Sequence, residues 1–122
     1  MTKILIVEDN PVNMKLAVIL LESANYTVLT ATDAEAALTL ARSEHLNLIL
    51  MDVQLPGMDG LQAVALLKRD GATRAIPIIA LTALAMKGDE ERIRAAGYDG
   101  YIAKPIRRHR FLATIAAQLA PL

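Results

Sequence analysis

The chain has 122 residues, 54% of them apolar, which suffices for one domain with a well-covered core and leaves no room for two. Thirteen basic residues balance thirteen acidic ones, so no global field draws the chain to nucleic acid or a membrane surface, although a local patch is not excluded. Disulfides and thiolate metal sites are excluded by the absence of cysteine, and the first residues lack a signal-peptide core, so a soluble, cytoplasmic protein without a membrane span is expected.

Short apolar runs alternate with helix-like segments, five of each. Ile4 to Val7 is apolar at every position, the mark of a strand covered on both faces. Asn10 can cap the next segment and Pro11 suits a first turn, so a helix follows from about Pro11 to Ala24. Tyr26 to Ala31 reads as a more polar edge strand, and Thr32-Asp33-Ala34-Glu35 as a capping box opening a second helix. Leu48 to Met51 is again continuously apolar and ends at Asp52. A Pro- and Gly-bearing loop from Gln54 to Gly60, in which Asp59 is a turn former, precedes a helix from about Leu61 to Lys68. Ile76 to Leu81 forms a fourth strand that Thr82 ends. A helix from about Gly88 to Ala96 closes at Gly97 as a left-handed cap. Tyr101 to Ala103 is a short fifth strand, and the last helix runs from about Arg107 to Leu119. This α/β alternation implies a parallel sheet with helices on both faces. Ligands then bind beyond the carboxyl ends of the strands, where the strand order reverses.

The residues at those ends are Glu8-Asp9, Asp52, Thr82 and Lys104. Two carboxylates about 4 Å apart repel by roughly 4 kcal/mol at an effective dielectric near 20, so the cluster needs a shared proton or a cation. Hard oxygens without His or Cys suit Mg²⁺. A metal, a lysine and a hydroxyl facing one carboxylate form a clamp for a phosphoryl group, with Asp52 as the nucleophile that becomes an acyl phosphate.

Glu8-Asp9-Asn10, Met51-Asp52-Val53-Gln54-Leu55-Pro56-Gly57-Met58-Asp59-Gly60, Leu81-Thr82-Ala83 and Lys104-Pro105 together resemble the CheY-like receiver domain of two-component response regulators. The resemblance covers residues 1–122 as one receiver domain. It implies the flavodoxin-like (βα)5 sandwich, with a parallel five-stranded sheet of order 2-1-3-4-5. It also implies a phosphorelay role: a histidine kinase or histidine phosphotransferase donates a phosphoryl group to Asp52, giving a 4-aspartylphosphate. By that likeness Asp9, Asp52 and the backbone carbonyl of Gln54 bind Mg²⁺, Glu8 acts through water, and Lys104 pairs with a phosphoryl oxygen. The Lys104-Pro105 bond should be cis, and Thr82 and Tyr101 should form the switch. Such a protein is no enzyme beyond its own phosphorylation and dephosphorylation, and it acts as a monomer or a weak phosphorylation-linked dimer. Gln54 and Leu84 offer no base to activate water, which favours a phosphorylated state of ordinary or long lifetime. The strings Asn10 to Leu16 and Met86 to Arg94 look further like the stand-alone DivK-type regulators of bacterial cell division.

The first helix is apolar on two sides: Val12, Leu16, Ile19 and Leu20 form one stripe, and Met14, Ala17, Val18 and Leu21 nearly the opposite one. One stripe is therefore left to dock a kinase helical bundle, and the one bearing Val18 is expected to face outward. Output is expected through protein contacts of the fourth helix, fifth strand and fifth helix. Arg107, Arg108, His109 and Arg110 oppose the helix dipole at the start of the last helix. They form either a solvated helix start or a basic patch for an acidic partner or phosphorylated ligand. Without interleaved aromatics they argue little for nucleic acid. His45 and His109 are expected at the surface. A haloacid dehalogenase-type phosphatase would carry an acid where Gln54 stands, and a dinucleotide or flavin protein would need a Gly- or hydroxyl-rich loop where Glu8-Asp9-Asn10-Pro11 stands. A receiver reduced to a scaffold would lack one of the acids or Lys104.

Overall fold

The computed structural model describes residues 1–83 and 88–120. Five strands and five helices alternate: β1 (Lys3–Val7), α1 (Pro11–Ser23), β2 (Thr27–Ala31), α2 (Ala34–Ser43), β3 (Leu48–Asp52), α3 (Gly60–Arg69), β4 (Ile78–Thr82), α4 (Asp89–Ala96), β5 (Gly100–Ala103) and α5 (Arg108–Leu119). The strands form one parallel sheet of order β2-β1-β3-β4-β5, the flavodoxin-like arrangement expected. The order reverses between β1 and β3, and the crevice beyond their carboxyl ends is the natural site.

The unbroken apolar runs are explained by the strand's period of two, because successive side chains feed opposite cores. Leu5, Val7, Ile49, Met51, Ile78 and Ala80 pack with α2, α3 and Ile93 of α4. Ile4, Ile6, Leu48, Leu50, Ile79, Leu81 and Ile102 pack instead with Ala17, Leu20 and Leu21 of α1 and Phe111 and Ile115 of α5.

Helix starts follow local chemistry. Asn10 Oδ1 accepts from the Val12 and Asn13 amides at 2.9 and 3.0 Å, with Pro11 next in line, as expected. Asp59 does more than make a turn: it caps α3 in a reciprocal box with Gln62. The second helix departs from expectation. Its cap is Asp33, which accepts from the Ala36 amide at 2.8 Å, so the box anticipated at Thr32 and Glu35 does not form. Gly97 ends α4 at φ 122°, a left-handed backbone that disfavours any side chain.

The two sides of α1 are assigned the other way round from the sequence reading. Ala17, Leu20 and Leu21 are buried and Met14 and Val18 pack against the same core, whereas Val12, Leu16 and Ile19 face outward at 74, 39 and 53% exposure. Val18 therefore belongs to the core side, and Leu20 leaves the outer stripe. His45 and His109 are exposed, as expected. No helix among the described residues is long and apolar enough to cross a membrane.

At α5 the N-cap is Arg107, which offers no side-chain acceptor, and the first turn holds no acid. Arg107→Asp supplies a cap and removes a cation from the positive end of the dipole, so unfolding free energy should rise by about 1 kcal/mol. Urea unfolding measures it, and an unchanged or lower midpoint contradicts this account of the helix start.

Candidate functional site

Glu8, Asp52 and Lys104 continue the alternation of Ile6, Leu50 and Ile102, so all three lie on the side of the sheet covered by α1 and α5. Pairing of β1 with β3 sets Glu8 beside Asp52, while β5 carries Lys104 across from the far edge. Glu8 and Asp52 are buried, at 1 and 6% exposure. The Lys104 ammonium stands 2.5 Å from Glu8 Oε1 and 2.6 Å from Asp52 Oδ2. The contact with Asp52 is a hydrogen bond and the one with Glu8 a close ion pair. Asp52 Oδ1 accepts from the Gln54 amide at 3.0 Å, and Glu8 Oε2 from the Asn10 amide at 3.4 Å.

Glu8, Asp9 and Asp52 each direct one oxygen to within 4.8 Å of the others, with Asp9 exposed at the mouth. A hard-oxygen set of two buried carboxylates and one exposed carboxylate fits a divalent ion such as Mg²⁺. Burial pushes the Glu8 carboxyl above its ordinary 4.5; Asp52 adds to the rise and Lys104 opposes it. Burial disfavours the charge on Lys104, but its contacts with Asp52 and Glu8 outweigh that and hold it above the ordinary lysine value of 10.5.

Thr82 ends β4, fully buried, and its carbonyl accepts from the Lys104 amide at 2.8 Å. Tyr101 lies in register with Ala80 and Ala103 with Thr82, so Tyr101 and Thr82 share a face of the sheet one step apart. The Lys104-Pro105 bond is cis, as expected. Gln54 is exposed, and Leu84 lies outside the described residues, as do Met86 and Lys87 of the DivK-like string.

Sequence reasoning missed Tyr98. Its ring is buried and its hydroxyl, unpartnered, reaches the β3–α3 turn beneath Asp52. A Cβ on Gly60 would overlap both that hydroxyl and the Asp52 carbonyl oxygen, so only glycine admits this close approach. Burial, reinforced by Asp52 and Asp59, pushes the Tyr98 phenol well above its ordinary value and keeps it neutral. No pattern in the sequence links residues 60 and 98.

An acidic rim with a lysine at the switch point of a flavodoxin-like sheet defines the class: an α/β domain equipped to hold a divalent ion and an oxyanion side by side. The chain belongs to the response regulator receiver domain family, which matches residues 4–116. It is 52% identical over 120 residues to the polar-differentiation response regulator DivK of Brucella ovis, covering 98% of each chain. Among solved structures it is similar to the receiver domain of a Pseudomonas aeruginosa sensor histidine kinase, crystallised with magnesium in its active-site cleft (37% identity, TM-score 0.90, 97% of each chain). It is also similar to chemotaxis response regulator CheY4 of Vibrio cholerae (28% identity, TM-score 0.92, 98% of this chain and 99% of that one). The protein is thus a two-component response regulator receiver of the DivK-like, CheY-like kind, and its acidic cluster fits a phosphoacceptor site with Mg²⁺.

The raised Glu8 value carries a pH signature. Its folded pKa exceeds the unfolded one, so ionised Glu8 works against the fold, and the associated stability is present at acid pH and lost as pH rises through the folded value. A divalent ion relieves the same strain at neutral pH. Mg²⁺ should therefore raise the thermal midpoint at neutral pH, and the increment should shrink on acidification, starting above the ordinary glutamate value. A midpoint indifferent to Mg²⁺, or an increment independent of pH, counts against the site.

Proposed function

We propose that Asp52 is the phosphoacceptor of this response regulator and that Glu8, Asp9 and the Gln54 carbonyl complete its Mg²⁺ site. The observation that carries this reading is the Lys104 ammonium, fixed between Glu8 and Asp52 from a strand two places away. The Gln54 amide and Lys104 hold the Asp52 carboxylate in one orientation, so an oxygen is presented to an incoming phosphorus atom. That oxygen attacks in line, the bond from phosphorus to the donor's imidazole nitrogen breaks, and the electron pair stays on the imidazole. Bound Mg²⁺ supplies neutralisation of the phosphoryl oxygens. Lys104 can pass from the carboxylates to a phosphoryl oxygen, and Thr82, at the end of the neighbouring strand β4, would turn its hydroxyl to the same group. Tyr101, on the same face as Thr82, is placed to follow that movement, which carries the signal to α4, β5 and α5. In this reading the chain catalyses only its own phosphorylation and dephosphorylation, in the cytoplasm, where nucleotide feeds the kinases.

The donor is a histidine kinase or phosphotransferase, and we assign its docking to the outer side of α1. Val12, Leu16 and Ile19 line a shallow cavity of about 410 Å³ with Pro11 and Lys15, directly after the acidic loop. A helix from the donor laid there would bring its histidine to the rim.

Asp52→Asn should abolish labelling by acetyl phosphate or binding of beryllofluoride with Mg²⁺; retained labelling at another residue removes the assignment. Ile19→Glu should lower the transfer rate from a histidine kinase active on the wild type by about tenfold while leaving acetyl phosphate labelling intact. Equal loss of both reactions would place Ile19 in the fold rather than in recognition.

A further inference from the structure

Charge is segregated along this neutral chain. From Gly100 to Leu122 there is no acidic residue, yet Lys104, Arg107, Arg108 and Arg110 fall there, so the remainder is net negative. Elsewhere five cations are neutralised locally: Lys3 by Glu44, Arg42 by Asp70, Lys68 by Asp99, Arg92 by Asp89 and Arg94 by Glu90. Arg107, Arg108 and Arg110 are exposed, and among the described residues none is paired with a carboxylate. Arg107 and Arg110 also border a concavity of about 330 Å³ with Tyr101, Lys104, Pro105 and Thr114, and no acid lines it.

We propose that this basic concavity docks an acidic segment of the downstream partner protein, with its carboxylates held by Arg107 and Arg110. The inference deepens, and rests on, the assignment of output to the β5–α5 side. Guanidinium forks match carboxylates in paired hydrogen bonds, and Tyr101 adds an apolar wall with a polar tip. Lys104 is engaged by Glu8 and Asp52, which leaves the arginines as the anchors. A nucleic acid fits less well. A long run of phosphates would extend past the patch onto a net negative surface, whereas a concavity this small takes one or two side chains. Arg107 occupies the α5 N-cap and contributes no cap hydrogen bond there, so its side chain is available to a ligand.

The test is an NMR titration of isotope-labelled full-length protein with a short Glu/Leu peptide, a Lys/Leu peptide, a DNA duplex and inorganic pyrophosphate. The Glu/Leu peptide should shift the amides of Tyr101, Arg107, Arg110 and Thr114. Its affinity should fall at least ~fivefold between about 50 and about 200 mM salt. Arg107→Glu/Arg110→Glu, which alters exposed and unpaired side chains, should lose the binding while still taking beryllofluoride. Silence of the acidic peptide, equal response to the Lys/Leu peptide, or undiminished binding by the double variant overturns the proposal. So does binding of pyrophosphate or the duplex with the acidic peptide silent, which would make this a phosphate or nucleic-acid site. Peptide binding to the unmodified protein decides the matter whether or not Asp52 takes beryllofluoride, whose failure would remove the phosphoacceptor reading alone.

Discussion

Pairing of β1 with β3 forces Glu8 and Asp52 into one buried crevice, where two carboxylates repel by roughly 4 kcal/mol at about 4 Å and an effective dielectric near 20. A structure that only had to be stable would not keep them, since replacing buried ionic groups with packed apolar ones is often neutral or favourable. Here the repulsion is contained by one cation, the Lys104 ammonium. Strands lie about 4.8 Å apart, so β5 stands roughly 10 Å from β3, and a long lysine stem is what closes that gap. The containment is incomplete: one ammonium faces two carboxylates, and burial still pushes the Glu8 carboxyl up. A rim in that condition gains from any added positive charge and any added oxyanion acceptor for Lys104. That is the electrostatic basis on which the proposed metal and phosphoryl group would be held.

The rest of the sheet serves this placement. β3 and β4 are buried at every position, which locks their register because a one-residue slip would drive each side chain into the opposite core. Locked registers fix Asp52 and Thr82 at the rim to within the tolerance that positioning demands. Gly60 and Tyr98 fix the turn below Asp52 from the other side. Together they hold Asp52 in place beneath the Lys104 ammonium.

Much of this was legible in the residues. Continuous apolar runs mark strands with two covered faces, and an acid, a hydroxyl or a lysine directly after each run marks the rim. The caps at Asn10 and Gly97 were legible because their chemistry is local. The side of α1 that faces water was not: Val12, Leu16 and Ile19 are as apolar as Ala17, Leu20 and Leu21, and only the packing of β1 and α5 distinguishes them. Thr32 and Asp33 can both accept a helix N–H, and one residue of phase in the chain leaving β2 decides between them. Tyr98 escaped notice because its partner is a backbone turn 38 residues away, a contact with no local signature.

The two proposed recognition surfaces flank the rim with opposite chemistry, one apolar and one basic. On the proposed reading a phosphodonor meets α1 before the switch is thrown, which suits an apolar stripe exposed in the unmodified protein. The basic concavity instead shares Tyr101 and Lys104 with the proposed switch. A ligand that holds either residue in one position changes the free energy of the other arrangement, and linkage makes the effect reciprocal. A partner bound at Arg107 and Arg110 would therefore feel the state of Asp52 through the lysine that both sites use, and Asp52 would feel the partner in equal measure. Coupling of that kind needs no long pathway, because one side chain stands in both walls.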